Sequence, residues 1–244
     1  MKDLFSGHAS DYARYRPTYP ESLYRVIVEQ TRAKSLAWDT GTGNGQAAVA
    51  LSRYFEQVHA TDISATQLAN AQQAPNITYR QSGADASGLP DRSVDLITAA
   101  TAVHWFDTDT FYHEVDRVAK PGAVIAVWCH GLCRVNKAVD ALVDQLYHDT
   151  LDGYWEVERG LVDAEYRTLP FPYREVSYPA ISMIRPWDQE RFLGYLNTWS
   201  AIKTYVARHG SNPMNAFQRE LQAVWPAHRS FPVIFELYMR LGRV

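Results

Sequence analysis

Between residues 20 and 130, short apolar runs alternate with amphipathic stretches of helical period, and that alternation leaves few folds open. "SLAWDTG", "QVHATDI", "NITYRQ", "SVDLITAATA" and "AVIAVWC" have the length and β-branched content of strands. "PESLYRVIVEQTRAK" reads as a helix opened by Pro20, with Leu23, Val26 and Ile27 as its buried stripe. "NGQAAVALSRYF" places Ala47, Ala48, Leu51 and Phe55 on one face, and Ser64 with Gln67 three residues on makes a capping box for "ATQLANAQ". "TDTFYHEVDRVA" is expected to stop at Lys120-Pro121-Gly122. Strands separated by helices of this length require a doubly wound, parallel α/β sheet.

Beyond Gly131 the rhythm changes. "NKAVDALVDQLYHDTLDGYW" is helical, "YREVSYPAIS" alternates like a strand, residues 187–225 are mostly helical, and "FPVIFELYMRLGRV" closes as a strand. The sequence thus predicts seven strands, mostly parallel, with an antiparallel last strand that forms an edge pair with the one before it. Helices from about 187 to 225 are expected to make a lid. At 244 residues without a linker or repeat, the expectation is a single domain, 1–244, with a ligand-binding half over 1–131 and a substrate half over 132–244.

Charge narrows the partners. A net charge of -3 lacks the excess of Lys and Arg that phosphate neutralisation demands, so nucleic acid is not the expected partner. Cys129 and Cys133 are too few for a disulfide framework and show no zinc spacing, so no metal is expected. "MKDLFSGHASDY" lacks the apolar core of a signal peptide, and "AVIAVW" is too short for a membrane span. A cytoplasmic protein acting on a small molecule is the expectation; oligomeric state is not legible.

The glycine-rich turn carries the ligand signal. A triphosphate loop needs Lys and Ser or Thr after its last Gly, where Gln46 and Ala47 stand. The dinucleotide fingerprint G-x-G-x-x-G is met at Gly41 and Gly43 and fails at Gln46. What remains is G-x-G-x-G, and three acids accompany it. Asp39 precedes the loop, where a carboxylate can hold its amides and face an ammonium group. Asp62 ends the second strand about twenty residues after Gly41, the place from which a carboxylate accepts ribose hydroxyls. Asp85 follows the third strand, within reach of an adenine amine. Any one of them alone reads as solvated surface; three at successive strand ends converge on the crevice where such sheets bind ligands.

Ribose, adenine and an ammonium group without phosphates describe S-adenosylmethionine. "AWDTGTGNGQAA", "ATDISATQLANA" and "GADASGLPDRSVDLITAATAVHWFD" resemble, in order and spacing, the cofactor motifs of class I S-adenosylmethionine-dependent methyltransferases, of Rossmann-like fold and the type 11 family. "YARYRPTYP" and "AVHWFD" resemble the branch that includes the trans-aconitate methyltransferases. The resemblance implies that Gly41, Thr42, Gly43 and Gly45 lie under the methionine part, with Asp62 on the ribose and Asp85 and Ala86 near the adenine amine. It further implies Ile63 and Gln67 at the adenosine, the Ala100 carbonyl at the ammonium, and an N-terminal segment with Tyr12 and Arg16 covering the cofactor. Thr40, Asn44 and Thr101 depart from the pattern, and Thr101 bears on the substrate.

Methyl transfer from a sulfonium is an in-line displacement, so alignment and water exclusion carry most of the catalysis. A carboxylate acceptor needs no base; a phenol or ammonium does, and His104 is the candidate because imidazole can titrate near neutrality. Arg16 can pair with a carboxylate of cofactor or substrate. Tyr15, Tyr19, Trp105 and Trp128 are substrate candidates against the plainer reading of core aromatics, as are Trp155 and Arg159 against a solvated helix face. O-methylation of a carboxylic acid is the leading function. A NAD(P)-dependent oxidoreductase and a non-catalytic S-adenosylmethionine-binding protein are the alternatives.

Overall fold

The computed structural model describes residues 14–244. Its first half builds α1 (Glu21–Gln30), β1 (Leu36–Thr40), α2 (Gln46–Leu51), β2 (Gln57–Asp62), α3 (Ala65–Ala69), β3 (Ile77–Gln81), β4 (Val94–Ala100), α4 (Thr108–Val118) and β5 (Ala119–His130). The second half adds α5 (Lys137–Gln145), α6 (Arg159–Asp163), β6 (Arg174–Glu175), β7 (Ile181–Trp187), α7 (Gln189–Asn197), α8 (Ser200–His209), α9 (Met214–Val224) and β8 (Phe231–Arg243). Strands order as β3-β2-β1-β4-β5-β8-β6, with β7 also paired to β8. The first five are parallel, while β8 runs antiparallel to β5, β6 and β7. The expected mostly parallel α/β sheet with an antiparallel last strand is therefore the observed one.

Alternation along each central strand explains the two-faced core. Leu96, Val124, Ala126 and Trp128 pack on one side with α1, α2 and the helices of the second half. Ile97, Ile125, Val127 and Cys129 pack on the other with α4 and the segment around Val162 and Tyr166. Side chains buried on both faces are what a helix-covered parallel sheet demands.

The last two strands form the expected antiparallel edge pair: β8 lies between β5 and β7, pairing Trp128 with Met239 on one side and Met183 with Phe235 on the other. One local expectation shifts. The run "YREVSYPAIS" is broken into β6 and the start of β7, and the pairing resumes after Pro179, a residue without an amide proton to give. As expected, α4 ends at Val118 just before Lys120-Pro121-Gly122, and β5 begins at Ala119, pairing there with Val94 across an irregular register.

At the sheet's N-terminal edge, Asp95 accepts Ser35 and Leu36 amides and the Lys120 ammonium at 2.7 Å. This locks β1 against β4, so their C-terminal ends, where the order reverses, hold a fixed crevice.

Candidate active site

The crevice opens beyond the C-terminal ends of β1, β2 and β4 and is closed from above by residues of the second half. Its floor is the loop Gly41–Gly45, in which all three glycines have positive φ (64°, 55° and 82°). Gly45 caps α2 in the left-handed conformation, and an added methyl would sit 2.2 Å from the Tyr79 hydroxyl. At Gly43 an added methyl would meet nothing within 4 Å among the described residues, so there the bare backbone opens onto the cavity.

Asp62 ties this floor to its wall. Its Oδ2 accepts the Gly43 amide at 2.8 Å and its Oδ1 the Ser64 amide at 2.9 Å, and the residue lines the cavity. Ser64 Oγ accepts the Gln67 amide and caps α3, turning the Gln67 side chain inward. Gln67 is buried, lines the cavity, and its Oε1 has no partner among the described residues. Ile63 and Ala100 complete this part of the wall.

The other acids sit elsewhere. Asp39 stands behind the loop, fully buried, accepting the hydroxyls of Thr42 at 2.5 Å and Thr98 at 2.7 Å. Burial pushes its carboxyl up to about 6 against those two bonds. It braces the loop's far side and does not line the cavity. Asp85 and Ala86 are exposed on the loop after β3, also outside the lining.

Aromatic and cationic groups form the roof. Trp155 stacks within 4.4 Å of Tyr147 and 5.5 Å of Trp199, and Arg159 lies 5.3 Å over the Trp155 ring. Arg159 Nε donates to Tyr147 Oη at 2.9 Å and Asp163 at 3.2 Å. Its two terminal nitrogens have no partner among the described residues, and the side chain lines the cavity. Arg16 lines it too, with Nε on Thr198 Oγ1 at 3.0 Å and its guanidinium over Tyr195.

At the end of β4, Thr101 has φ of 52°, a rare conformation for a β-branched residue. Its amide donates to the Trp128 carbonyl at 2.7 Å, and its hydroxyl meets Tyr19 Oη at 2.9 Å in the cavity wall. Trp128 itself is fully buried behind that pair, edge-on to Tyr19. Tyr15 packs against Gly194 and lies outside the lining, and Tyr12 lies outside the described residues.

His104 and Trp105 reach the cavity on a 3₁₀ turn (Val103–Trp105) after β4. Burial, with the Arg159 charge, drives the imidazole down to about 3. The sequence-based expectation of titration near neutrality is thus overturned by desolvation, which disfavours the charged ring. Residues the sequence reading missed here are Trp199, Ser200 and Tyr166. Their signal was absent, since each joins the site only through chain reversal over long separations.

The comparisons fit this geometry. The model of the methyltransferase domain family matches residues 38–127, which span β1 to β5. A Dictyostelium discoideum protein classed among the methyltransferases is 31% identical over 99% of this chain and 95% of its own length. The chain belongs to the methyltransferase domain family. The methyltransferase cfoB of Aspergillus candidus is 26% identical, covering 92% of this chain and 75% of its own. A solved structure from Anaeromyxobacter dehalogenans, titled as a type II methyltransferase, is 43% identical with a TM-score of 0.88, covering 94% of this chain and 98% of that one. The chain is a methyltransferase with S-adenosylmethionine as its cofactor, and the oxidoreductase and non-catalytic alternatives fall. The site fits that group: among the described residues, the space over Gly43 and an unpartnered buried acceptor on Gln67, with the Asp62 carboxylate in the same wall, suit a ligand rich in hydroxyl and ammonium donors. Among the described residues no helix is long and apolar enough to cross a membrane, and no group of side chains is arranged to hold a metal ion.

Proposed function

We propose that this methyltransferase methylates a carboxylate oxygen of a small organic acid, the chemistry of the trans-aconitate branch that its N-terminal and "AVHWFD" motifs resemble. The observation that carries the reading is Arg159: a guanidinium whose terminal nitrogens have no partner among the described residues, at the wall of an aromatic cavity. A cation in a water-poor cavity gains most from an anionic ligand, and its planar fork fits a carboxylate in two-point fashion. Trp155, Trp199 and Trp105 around it favour the apolar part of such an acid.

S-adenosylmethionine supplies, when bound, the activated methyl group. Gly41, Thr42 and Gly43 would cradle its amino-acid end, with the Ala100 carbonyl and Arg16 at its ammonium and carboxylate. Asp62 would accept the ribose hydroxyls, Ile63 and Gln67 would face the adenosine, and Asp85 is kept for the adenine amine. Residues 1–131 would thus serve the cofactor and 132–244 the acceptor, with 187–225 as cover. An acid acceptor is ionised at neutral pH, so the protein needs no base of its own and acts by alignment and exclusion of water. Neutral His104 agrees with that.

A panel of mono-, di- and tricarboxylates, with phenols and amines beside them, assayed for methyl uptake from S-adenosylmethionine, tests the reading. Base-labile methyl esters are the expected products. Turnover confined to phenols or amines overturns it.

A further inference from the structure

His104 and Tyr166 form a buried pair whose hydrogen bonding can be worked out in full. The phenol oxygen lies 2.7 Å from Nδ1 of His104. Tyr166 is completely buried, and the only other group bonded to its hydroxyl among the described residues is the His104 backbone amide, a donor that cannot take the phenol proton. If Nδ1 carried the imidazole proton and donated it, the phenol proton would be stranded in a dry wall, an arrangement folded proteins avoid. The hydroxyl must therefore donate and Nδ1 accept, which leaves the single ring proton on Nε2. Nε2 has no partner among the described residues, and His104 lines the cavity.

The backbone points the same way. Glu165 and Tyr166 both adopt positive φ, 58° and 57°, two consecutive left-handed non-glycine residues directly after α6. Arg240 holds the turn by donating to the Tyr166 and Leu169 carbonyls at 3.0 Å each. Strain of this kind persists where the surroundings over-determine it, and here its result is a tyrosine ring turned under His104.

We propose that Tyr166 is a positioning residue: it fixes His104 in the Nε2–H tautomer, so that the imidazole meets the acceptor as a neutral hydrogen-bond donor and takes up no proton. That the recipient is an acid oxygen rests on the reading above; the tautomer does not. The groups that bear on the ring's charge are Arg159 on α6 and Tyr166 itself, with Cys129 of β5 and Tyr19 next to the phenol. A cation beside the ring opposes its protonation, and burial does the same.

The test is a ¹⁵N spectrum of protein labelled at histidine, recorded with long-range proton coupling, with the His104 signals assigned by their loss in His104→Gln. The expected pattern is a protonated Nε2 and a bare Nδ1, unchanged from about pH 6 to 8. A proton on Nδ1, or a doubly protonated ring within that range, overturns the proposal. Tyr166→Phe should release the tautomer to a mixture and raise the acceptor KM by about 2- to 12-fold, the worth of one neutral hydrogen bond, with kcat little changed. An unchanged tautomer and KM in that variant also overturns it, and if Tyr166→Phe does not fold, the spectrum of the unaltered chain decides alone. Should the acceptor prove to be no acid, the spectrum still reads the tautomer, so the two readings fail separately.

Discussion

The Asp62 carboxylate accepts the Gly43 amide at 2.8 Å, so the residue assigned to the ribose also braces the loop beneath it. Asp62→Ala is therefore expected to act twice. Cofactor affinity should fall by about 1.5–3 kcal/mol, the range for hydrogen bonds to a charged group. The melting temperature of the cofactor-free protein should fall as well, because the Gly43 and Ser64 amides lose their acceptor. Calorimetric titration and thermal melts check both, and unchanged affinity in a folded variant refutes the ribose assignment.

Two glycines of the loop should respond differently to the same change. Gly45→Ala drives a methyl to 2.2 Å from the Tyr79 hydroxyl at a φ of 82°, so stability should suffer beyond the roughly 1–2 kcal/mol of left-handed strain. Gly43→Ala meets none of the described residues, so stability should drop by that strain alone while the methyl intrudes where cofactor is expected. Denaturant melts and titrations of both variants compare the two; equal cofactor loss at equal stability would separate Gly43 from the ligand.

How far these features were readable beforehand follows from the range of the forces. The β-α alternation and the glycine-and-acid spacing are local, and they were legible: Gly41, Gly43, Asp62, Ile63 and Gln67 were all named and all line the cavity. Asp39 was named too, yet the sequence could not say that Thr42 and Thr98 would draw it behind the loop. His104 was seen as a possible base because its composition allows it. Only the contact with Tyr166, 62 residues along the chain, and burial by distant elements reveal a ring that stays neutral. Likewise β8 read as a strand from its own pattern, while its place between β5 and β7 depends on pairings from both sides.

Arg159→Gln should raise the KM for an acid acceptor by about 10- to 150-fold, the equivalent of a charge-assisted bond, with little change in cofactor affinity. Arg159→Lys should recover part of this, since an ammonium keeps the charge but not the planar fork. Steady-state kinetics with the acid and with its methyl ester distinguish the cases. An equal loss for both would assign Arg159 to roof packing against Trp155 and Tyr147.

Thr101→Gly should part stability from activity. Glycine relieves the φ of 52° but removes the hydroxyl bonded to Tyr19 at 2.9 Å. Those terms nearly offset, each being about 1 kcal/mol, so the melting temperature should move little. Turnover should fall, because Tyr19 loses its anchor in the cavity wall. Retained turnover would show that the strained conformation serves the backbone turn alone.

Asp39 gives a pH signature with a definite sign. Burial raises its carboxyl from 3.8 to about 6, opposed by the Thr42 and Thr98 hydroxyls and reinforced by the nearby Asp62 charge. The native state then holds this proton more tightly than the unfolded chain. Its contribution to stability is full below about pH 4 and is lost as pH rises through about 6. Asp39→Asn is neutral throughout and lacks this loss, so the variant's stability relative to the unaltered chain should climb between those limits by on the order of 3 kcal/mol. The asparagine also places N–H groups where two hydroxyls now donate, but those hydroxyls can turn to accept, and any residual cost does not vary with pH. The slope of the difference, measured by urea unfolding at about pH 4.5, 6 and 7.5, is therefore the quantity to read; a flat difference would mean that the carboxylate behind the glycine loop ionises as freely in the fold as in water.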